Sequence, residues 1–263
     1  MGQDSSCAPI VNRCSRAQPG RAAVNQDTSP FLRIDSHVLY SQPHPPEHLQ
    51  AILARNRFDG AILVGELPAL PADLPHIAGL VVPIGRLAEY LDHPKLRGVC
   101  CSLADGIPAG LDELSRRGLT LDLESQPCHL PLVQRIAGQA PTLRIAIDHL
   151  ARPPFDSGLT AEWLRGIQAA ARLPNVFCKV SGLLTGQPGP WTAAPLRPFV
   201  QHVLSVFDPD RLMFGSEWPA CLPAAAWKET LAAFTQSIGA RSIEVREQLL
   251  GGTAARFYGL VSR

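Results

Sequence analysis

From residue 32 onward, short apolar runs alternate with longer stretches in which apolar positions recur every three or four residues. The runs at 32–38, 61–65, 79–84, 97–103, 119–123, 143–147, 176–180 and 212–215 are nearly continuous in Val, Ile, Leu, Ala and Cys. Continuous rather than alternating apolarity predicts strands covered on both faces, as in a parallel sheet. Between them the spacing predicts helices over 46–57, 86–92, 111–117, 130–139, 161–172, 196–207 and 224–238. A last helix is predicted over 242–257, opening on Ser242 ahead of acidic Glu244. The stretch "LPALPADLPH" after the second run is too short and too rich in proline for a full crossover helix.

Eight strands with intervening helices predict an α/β fold: a distorted (β/α)8 TIM-type barrel, one domain over 31–263, irregular at the second crossover. The rival is an open doubly wound sheet, but no GxGxxG follows the first run. Residues 1–30 are polar, rich in loop formers and without helical period, which predicts a flexible, disordered leader. They lack the apolar core of a secretory signal. "MGQDSS" satisfies the loose myristoylation pattern through Gly2 and Ser6, a short and common match.

Hydrophobic residues make up 46% of the chain and charged ones 18%, enough to build a sizeable core. The net charge of +1, with arginines scattered, argues against a nucleic-acid groove or a basic membrane face. No run approaches the ~20 apolar residues of a membrane span. Seven cysteines at irregular spacing, without a CxxC, fit reduced thiols and a cytoplasmic location. Cys100 and Cys101 are expected in the core, Cys128 and Cys178 in apolar surroundings.

In barrels of this kind functional groups gather at the C-terminal ends of the strands. His37 ends the first run, Glu66 the second, and Asp122 and Glu124 the fifth. Asp148 and His149 end the sixth, Lys179 and Ser181 the seventh, Ser216 and Glu217 the eighth. Closure sets the eighth strand beside the first, so Glu217, His37 and His149 are expected to share one cavity. A desolvated carboxylate takes a proton from water, and an imidazole polarises a carbonyl as charge builds on its oxygen. With a divalent ion bound, the same groups would act as ligands. Strand geometry places Leu39 on the same face as His37, where it can donate nothing to a metal.

The strings "IDSHVLY", "LPLVQRIAGQAPTLRIAIDHLARPP", "LPNVFCKVSGLLT", "RLMFGSEWPACL" and "LLGGTAARFYGL" resemble the amidohydrolase-related family. The branch is that of 2-pyrone-4,6-dicarboxylate lactonase and the sugar-acid lactonases. The similarity runs from about residue 32 to 260, with the motifs in family order. It implies a distorted (β/α)8 barrel that opens lactone or similar carbonyl bonds. His37 matches the first histidine of the family's His-x-His, and Leu39 replaces the second. His149 matches the histidine of "IDHLGKP", with Ala151 and Arg152 in place of Gly-Lys. Glu217 stands where the family has the aspartate expected to activate water or bind metal. Cys100 replaces a substrate-binding arginine and Thr253 an asparagine, while Lys179 and Ser181 are kept.

The expectation is a hydrolase of the lactone of a small organic or sugar acid. Glu217 activates water, and His149 and His37 orient and polarise the carbonyl. Lys179 clamps an acidic or hydroxylated substituent, with Ser181, Arg152 and Trp218 also contacting substrate. Asp148 is expected to accept neighbouring backbone N–H groups. No tightly held metal is expected, because zinc sites need three or four good protein ligands. The alternative is one weakly held Zn or Mn on His37, His149 and Glu217. The expected partner is a small carboxylate or lactone, with neither nucleic acid nor membrane. Two other readings stand beside this one. One is a degenerate barrel that binds a small acid or partner without chemistry, as the departures at Leu39, Cys100, Glu217 and Thr253 suggest. A metal-dependent decarboxylase is the reading that sister branches imply.

Overall fold

The computed structural model describes Met1 and residues 32–39, 44–66, 74–185 and 190–260. The expected leader, its myristoylation pattern and most of the proline-rich second crossover lie outside them. All eight predicted strands form: β1 (Ile34–Val38), β2 (Gly60–Val64), β3 (Ile77–Pro83), β4 (Leu96–Ser102), β5 (Thr120–Glu124), β6 (Ile145–Ile147), β7 (Val176–Val180) and β8 (Leu212–Phe214). They pair in parallel and in sequence order. Most are almost wholly buried, which is why their apolar runs do not alternate, whereas β4 buries fully only Gly98 and Val99.

β8 has only three residues, and the chain beyond it completes the barrel. Val38 bridges Trp218 in parallel. The Glu217 N–H donates to the His37 carbonyl at 2.9 Å, and the Leu39 N–H to the Trp218 carbonyl at 2.8 Å. The Ser36 hydroxyl donates to the Phe214 carbonyl at 2.7 Å. Closure therefore falls at the C-terminal mouth and brings residues 37 and 217 into direct contact through their backbones. Gly215 makes the approach feasible: a Cβ there would lie 2.6 Å from the Cβ of His37.

The helices are α1 (Pro46–Arg55), α2 (Leu111–Arg116), α3 (Leu130–Gln139), α4 (Ala161–Ala171), α5 (Arg197–Val206), α6 (Trp227–Ile238), α7 (Ile243–Glu247) and α8 (Thr253–Phe257). Two predictions need correction. The helix expected over 86–92 is a 3-10 segment, Ile84–Glu89, none of whose residues is buried. Ile84 and Leu87 reach the core only as partly buried residues, and a connector this short settles for i→i+3 turns. The helix expected over 242–257 begins as predicted, with Ser242 Oγ accepting the Val245 N–H, but breaks at a π-helical turn, Gln248–Gly252. At the break, a Cβ on Gly251 would lie 2.6 Å from the Ile34 amide nitrogen, so bare backbone packs against the start of β1.

The break lets α8 turn beneath the barrel. Ala254, Phe257 and Tyr258 join Ile34, Ile62, Val64, Val81, Ala146 and Met213 in one interior cluster. A larger cluster fills the space between the outer strand faces and the helices, with Leu49, Val133, Ile136, Trp163, Phe199 and Phe234 among its members. Among the described residues no helix is long and apolar enough to cross a membrane.

Asp35 ties these layers together from a fully buried position. Its Oδ1 accepts the Ser216 N–H at 2.9 Å and the His37 N–H at 3.3 Å, while Oδ2 accepts the Trp227 indole N–H at 2.8 Å. Burial raises its pKa to about 6 despite those donors. A folded-state pKa above the unfolded value means that the native state holds this proton more firmly. The group's contribution to stability is therefore full at low pH and is lost as pH rises through 6. Urea unfolding across a pH series should show Asp35→Asn gaining on wild type between about pH 4 and pH 7. A stability difference independent of pH would contradict the assignment.

Candidate active site

The strand ends build the site in layers above the apolar floor. At the bottom, the Tyr258 hydroxyl donates to Asp122 Oδ2 at 2.7 Å. Burial, then the charge of Asp122, holds the phenol pKa well above its ordinary value, so it keeps that proton. Lys179 stands next, fully buried. Its Nζ contacts Asp122 Oδ2 at 2.5 Å, Asp148 Oδ1 at 2.9 Å and His37 Nδ1 at 3.1 Å. Asp122 Oδ2 and His37 Nδ1 accept two of its three protons, and Asp148 Oδ1 faces the same nitrogen as an ion pair. Burial pulls its pKa down, but Asp122 and Asp148 together outweigh burial and leave it raised. Asp148, by contrast, is pushed up to about 7 by burial, with Lys179 opposing.

The two histidines form the upper layer, their ring centroids 4.5 Å apart in an edge-on arrangement. Burial first, and the neighbouring cations second, hold both well below the ordinary imidazole pKa, so both are neutral. His37 Nδ1 accepts from Lys179, which leaves Nε2 as the protonated nitrogen. His149 is engaged on both sides, with Ser181 Oγ 2.9 Å from Nδ1 and Glu217 Oε1 3.1 Å from Nε2. Glu217 is itself buried, and burial raises its pKa against the nearby Thr185 hydroxyl and Arg152. Its Oε2 is buried without a well-formed hydrogen bond among the described residues.

His149 owes its position to an unusual turn. Residues 149–152 all have positive φ, at 53°, 57°, 59° and 45°, and none is glycine. Left-handed geometry costs an L-residue roughly 1–2 kcal/mol, so four in succession must be held by their surroundings. The Arg152 N–H donates to the His149 carbonyl at 2.8 Å, and the Trp163 indole N–H donates to the Leu150 carbonyl at 2.7 Å.

Above the histidines lies a cavity of about 380 Å³ whose lining includes His37, Leu39, Cys100, Asp148, His149 and Arg152. Arg152 pairs with Glu124 at 3.1 Å on the rim and reaches to 4.0 Å from Glu217 Oε1. Closure thus joins His37, His149 and Glu217, as the strand order predicts. Glu217 is not among the lining residues and meets the cavity through His149. Several expectations change. Lys179 is fully buried below the cavity and is not among its lining residues, with its ammonium facing Asp122, Asp148 and His37 instead of open space. Ser181 is buried against His149. Trp218 is also buried, with its backbone closing the barrel and its ring beside His44. Asp148 pairs with an ammonium rather than with backbone amides. Cys100 and Cys101 line the cavity, and burial pushes both thiols up to about 12. Cys128 is exposed. Glu66 is exposed and faces Arg86 at 3.7 Å. Thr253 donates to the Pro209 carbonyl at 3.2 Å, at the opposite end of the barrel from the histidines.

A metal would find its ligand atoms on His37, Asp148 and His149, which lie within 4.8 Å of one another, rather than on a set containing Glu217. As the side chains stand, a dication fits this set poorly. His37 Nδ1 and Asp148 Oδ1 already face the Lys179 ammonium, and both nitrogens of His149 have partners.

The family described as Amidohydrolase matches residues 37–260. Among characterised proteins, the chain is 35% identical over 252 residues to an L-fucono-1,5-lactonase of Burkholderia multivorans, covering 82% of this chain and 84% of that one. It is 29% identical over 245 residues to an L-fucono-1,5-lactonase of Burkholderia ambifaria, covering 81% and 84%. Among solved structures, an amidohydrolase from Burkholderia multivorans with bound zinc superposes with a TM-score of 0.75 at 28% identity. That match covers 88% of this chain and all of the other.

The left-handed turn yields a test of its own. Trp163→Phe removes the donor to Leu150 while keeping most of the ring, and should cost about 1–3 kcal/mol by denaturant unfolding. Amide exchange should accelerate across residues 149–152 before it does so elsewhere. Unchanged exchange there would show that the turn does not need this bond.

Proposed function

This chain belongs to the amidohydrolase family, and from that membership we propose that it opens the lactone of a small sugar or organic acid without a resident metal. It is a hydrolase, and its characterised relatives act on L-fucono-1,5-lactone, a cyclic ester of a sugar acid. The observation that carries the reading is the buried Glu217 carboxylate. One oxygen faces His149 and the other has no well-formed partner. A desolvated carboxylate with a free lone pair is a base poised to take a proton from water.

In the proposed reaction Glu217 Oε2 accepts a proton from water while Oε1 is held by the His149 Nε2–H. Ser181 donates to Nδ1 and so keeps that imidazole in one tautomer. The water oxygen bonds to the lactone carbonyl carbon, and the carbonyl π electrons move onto its oxygen. The His37 Nε2–H and the Arg152 guanidinium stabilise that oxyanion. Collapse breaks the bond from carbonyl carbon to ring oxygen, and the proton held by Glu217 passes to the leaving oxygen. The product is the open hydroxy acid, and Glu217 is again ionised. Leu39 and Cys100 give the cavity apolar and weakly polar walls, which suit a neutral ring better than a dicarboxylate. The Lys179 ammonium beside His37 and Asp148 supports chemistry without a metal, since the cationic charge is already present.

Purified protein tested on a panel of 1,4- and 1,5-lactones of sugar acids should turn over at least one member, and the rate should survive prolonged chelation. Glu217→Gln should lower kcat by about 10²–10⁴-fold, the usual share of a general base. Because the ionised form is required and the pKa is raised, kcat/KM should fall with decreasing pH from a point above the ordinary glutamate range. Full activity in Glu217→Gln, or activity abolished by chelation and restored by zinc, would refute the mechanism.

A further inference from the structure

We propose that Lys179 is the site's built-in cation: its ammonium fills the place a divalent ion would take among His37, Asp122 and Asp148, and removing it turns the barrel into a metal site. The geometry comes first. Three donor atoms of kinds that ligate metals surround one nitrogen: two carboxylate oxygens at 2.5 Å and 2.9 Å and an imidazole nitrogen at 3.1 Å. The nitrogen is fully buried, and among the described residues no other lysine or arginine pairs with Asp122 or Asp148. Asp122 and Asp148 could not both stay ionised in this interior without a cation between them. A lysine meets that need with a charge fixed by a covalent tether, which no chelator can remove.

The tether has a second consequence. By donating to His37 Nδ1, Lys179 leaves the proton of that ring on Nε2, the nitrogen offered to a substrate. A metal at the same place would be bound through the ring and would bring its own water. Lys179 therefore acts as a positioning residue, and it also excludes metal by occupying the shared donors. His149 adds a further ligand atom within 4.8 Å of the His37 and Asp148 atoms, so a vacated cage offers a nearly complete ligand set.

The inference deepens the proposed mechanism but is read through metal affinity, so lactone turnover does not enter its test. Zinc binding is measured by competition with a chromogenic chelator, alongside thermal unfolding with and without zinc. Wild type should yield its zinc to the chelator and unfold at the same temperature in both conditions. Lys179→Ala should hold one equivalent about a hundredfold more tightly than wild type, and zinc should raise its Tm. Asp148→Asn in the Lys179→Ala background should abolish both effects. Methylammonium, which can occupy the vacated space, should partly restore the Tm of Lys179→Ala and compete with zinc. A folded Lys179→Ala that binds no more zinc than wild type overturns the proposal. Should Lys179→Ala fail to fold in every condition, wild type decides. One tightly held equivalent of zinc, lost on Asp148→Asn, overturns the proposal, and a wild type that releases zinc freely supports it.

Discussion

The buried Lys179 ammonium organises everything above it. Two carboxylates, Asp122 and Asp148, lie in the barrel interior within 3 Å of one nitrogen. Taking either charge out of water would be prohibitive without that partner. The phenol of Tyr258 completes the arrangement from below by donating to the Asp122 oxygen that also meets the ammonium. From above, His37 accepts an ammonium proton and acquires a defined tautomer. Residues 37, 122, 148, 179 and 258 thus form one electrostatic unit, supplied by four strands and the end of the last helix.

Closure is the second constraint. β8 is too short to complete the barrel alone, so the chain beyond it pairs with the end of β1. That pairing places Glu217 beside His37, with Asp35 and Ser36 anchoring the seam from either side. The same mouth carries the backbone irregularities. Glu217 has a φ of 57°, and residues 149–152 run left-handed. Strain of this kind persists where the surroundings over-determine it, which is common at working sites. Here it turns the His149 ring between Ser181 and Glu217, leaving it little freedom.

Much of this was legible in the sequence. Continuous apolarity revealed the eight strands because both faces of most of them are covered, and burial is what such runs encode. The meeting of His37, His149 and Glu217 followed from strand order and closure, without any contact being known. What stayed hidden has physical reasons. A lysine at a strand end reads the same whether it points to a substrate or to buried acids, so the surroundings of Lys179 cannot be read from its position in the chain. Tyr258 lies 136 positions from its partner Asp122, and an aromatic near a helix end signals only packing. The left-handed turn carries no glycine to announce it. Gly251, which does break a helix, looks like any small residue until its contact with β1 is seen. Of the four departures from the family pattern, Leu39 and Cys100 line the cavity and Glu217 touches His149. Thr253 lies far from all three, and so bears on folding rather than on chemistry.

A fixed ammonium donates to His37 Nδ1 and so sets the ring that faces the cavity. Nitrogen-15 NMR of the imidazoles across a pH range tests it most directly. His37 should remain neutral through the ordinary imidazole range, as the Nε2–H tautomer, with Nδ1 showing the shift of a hydrogen-bond acceptor. A His37 that titrates near the ordinary imidazole value, or carries its proton on Nδ1, would contradict it.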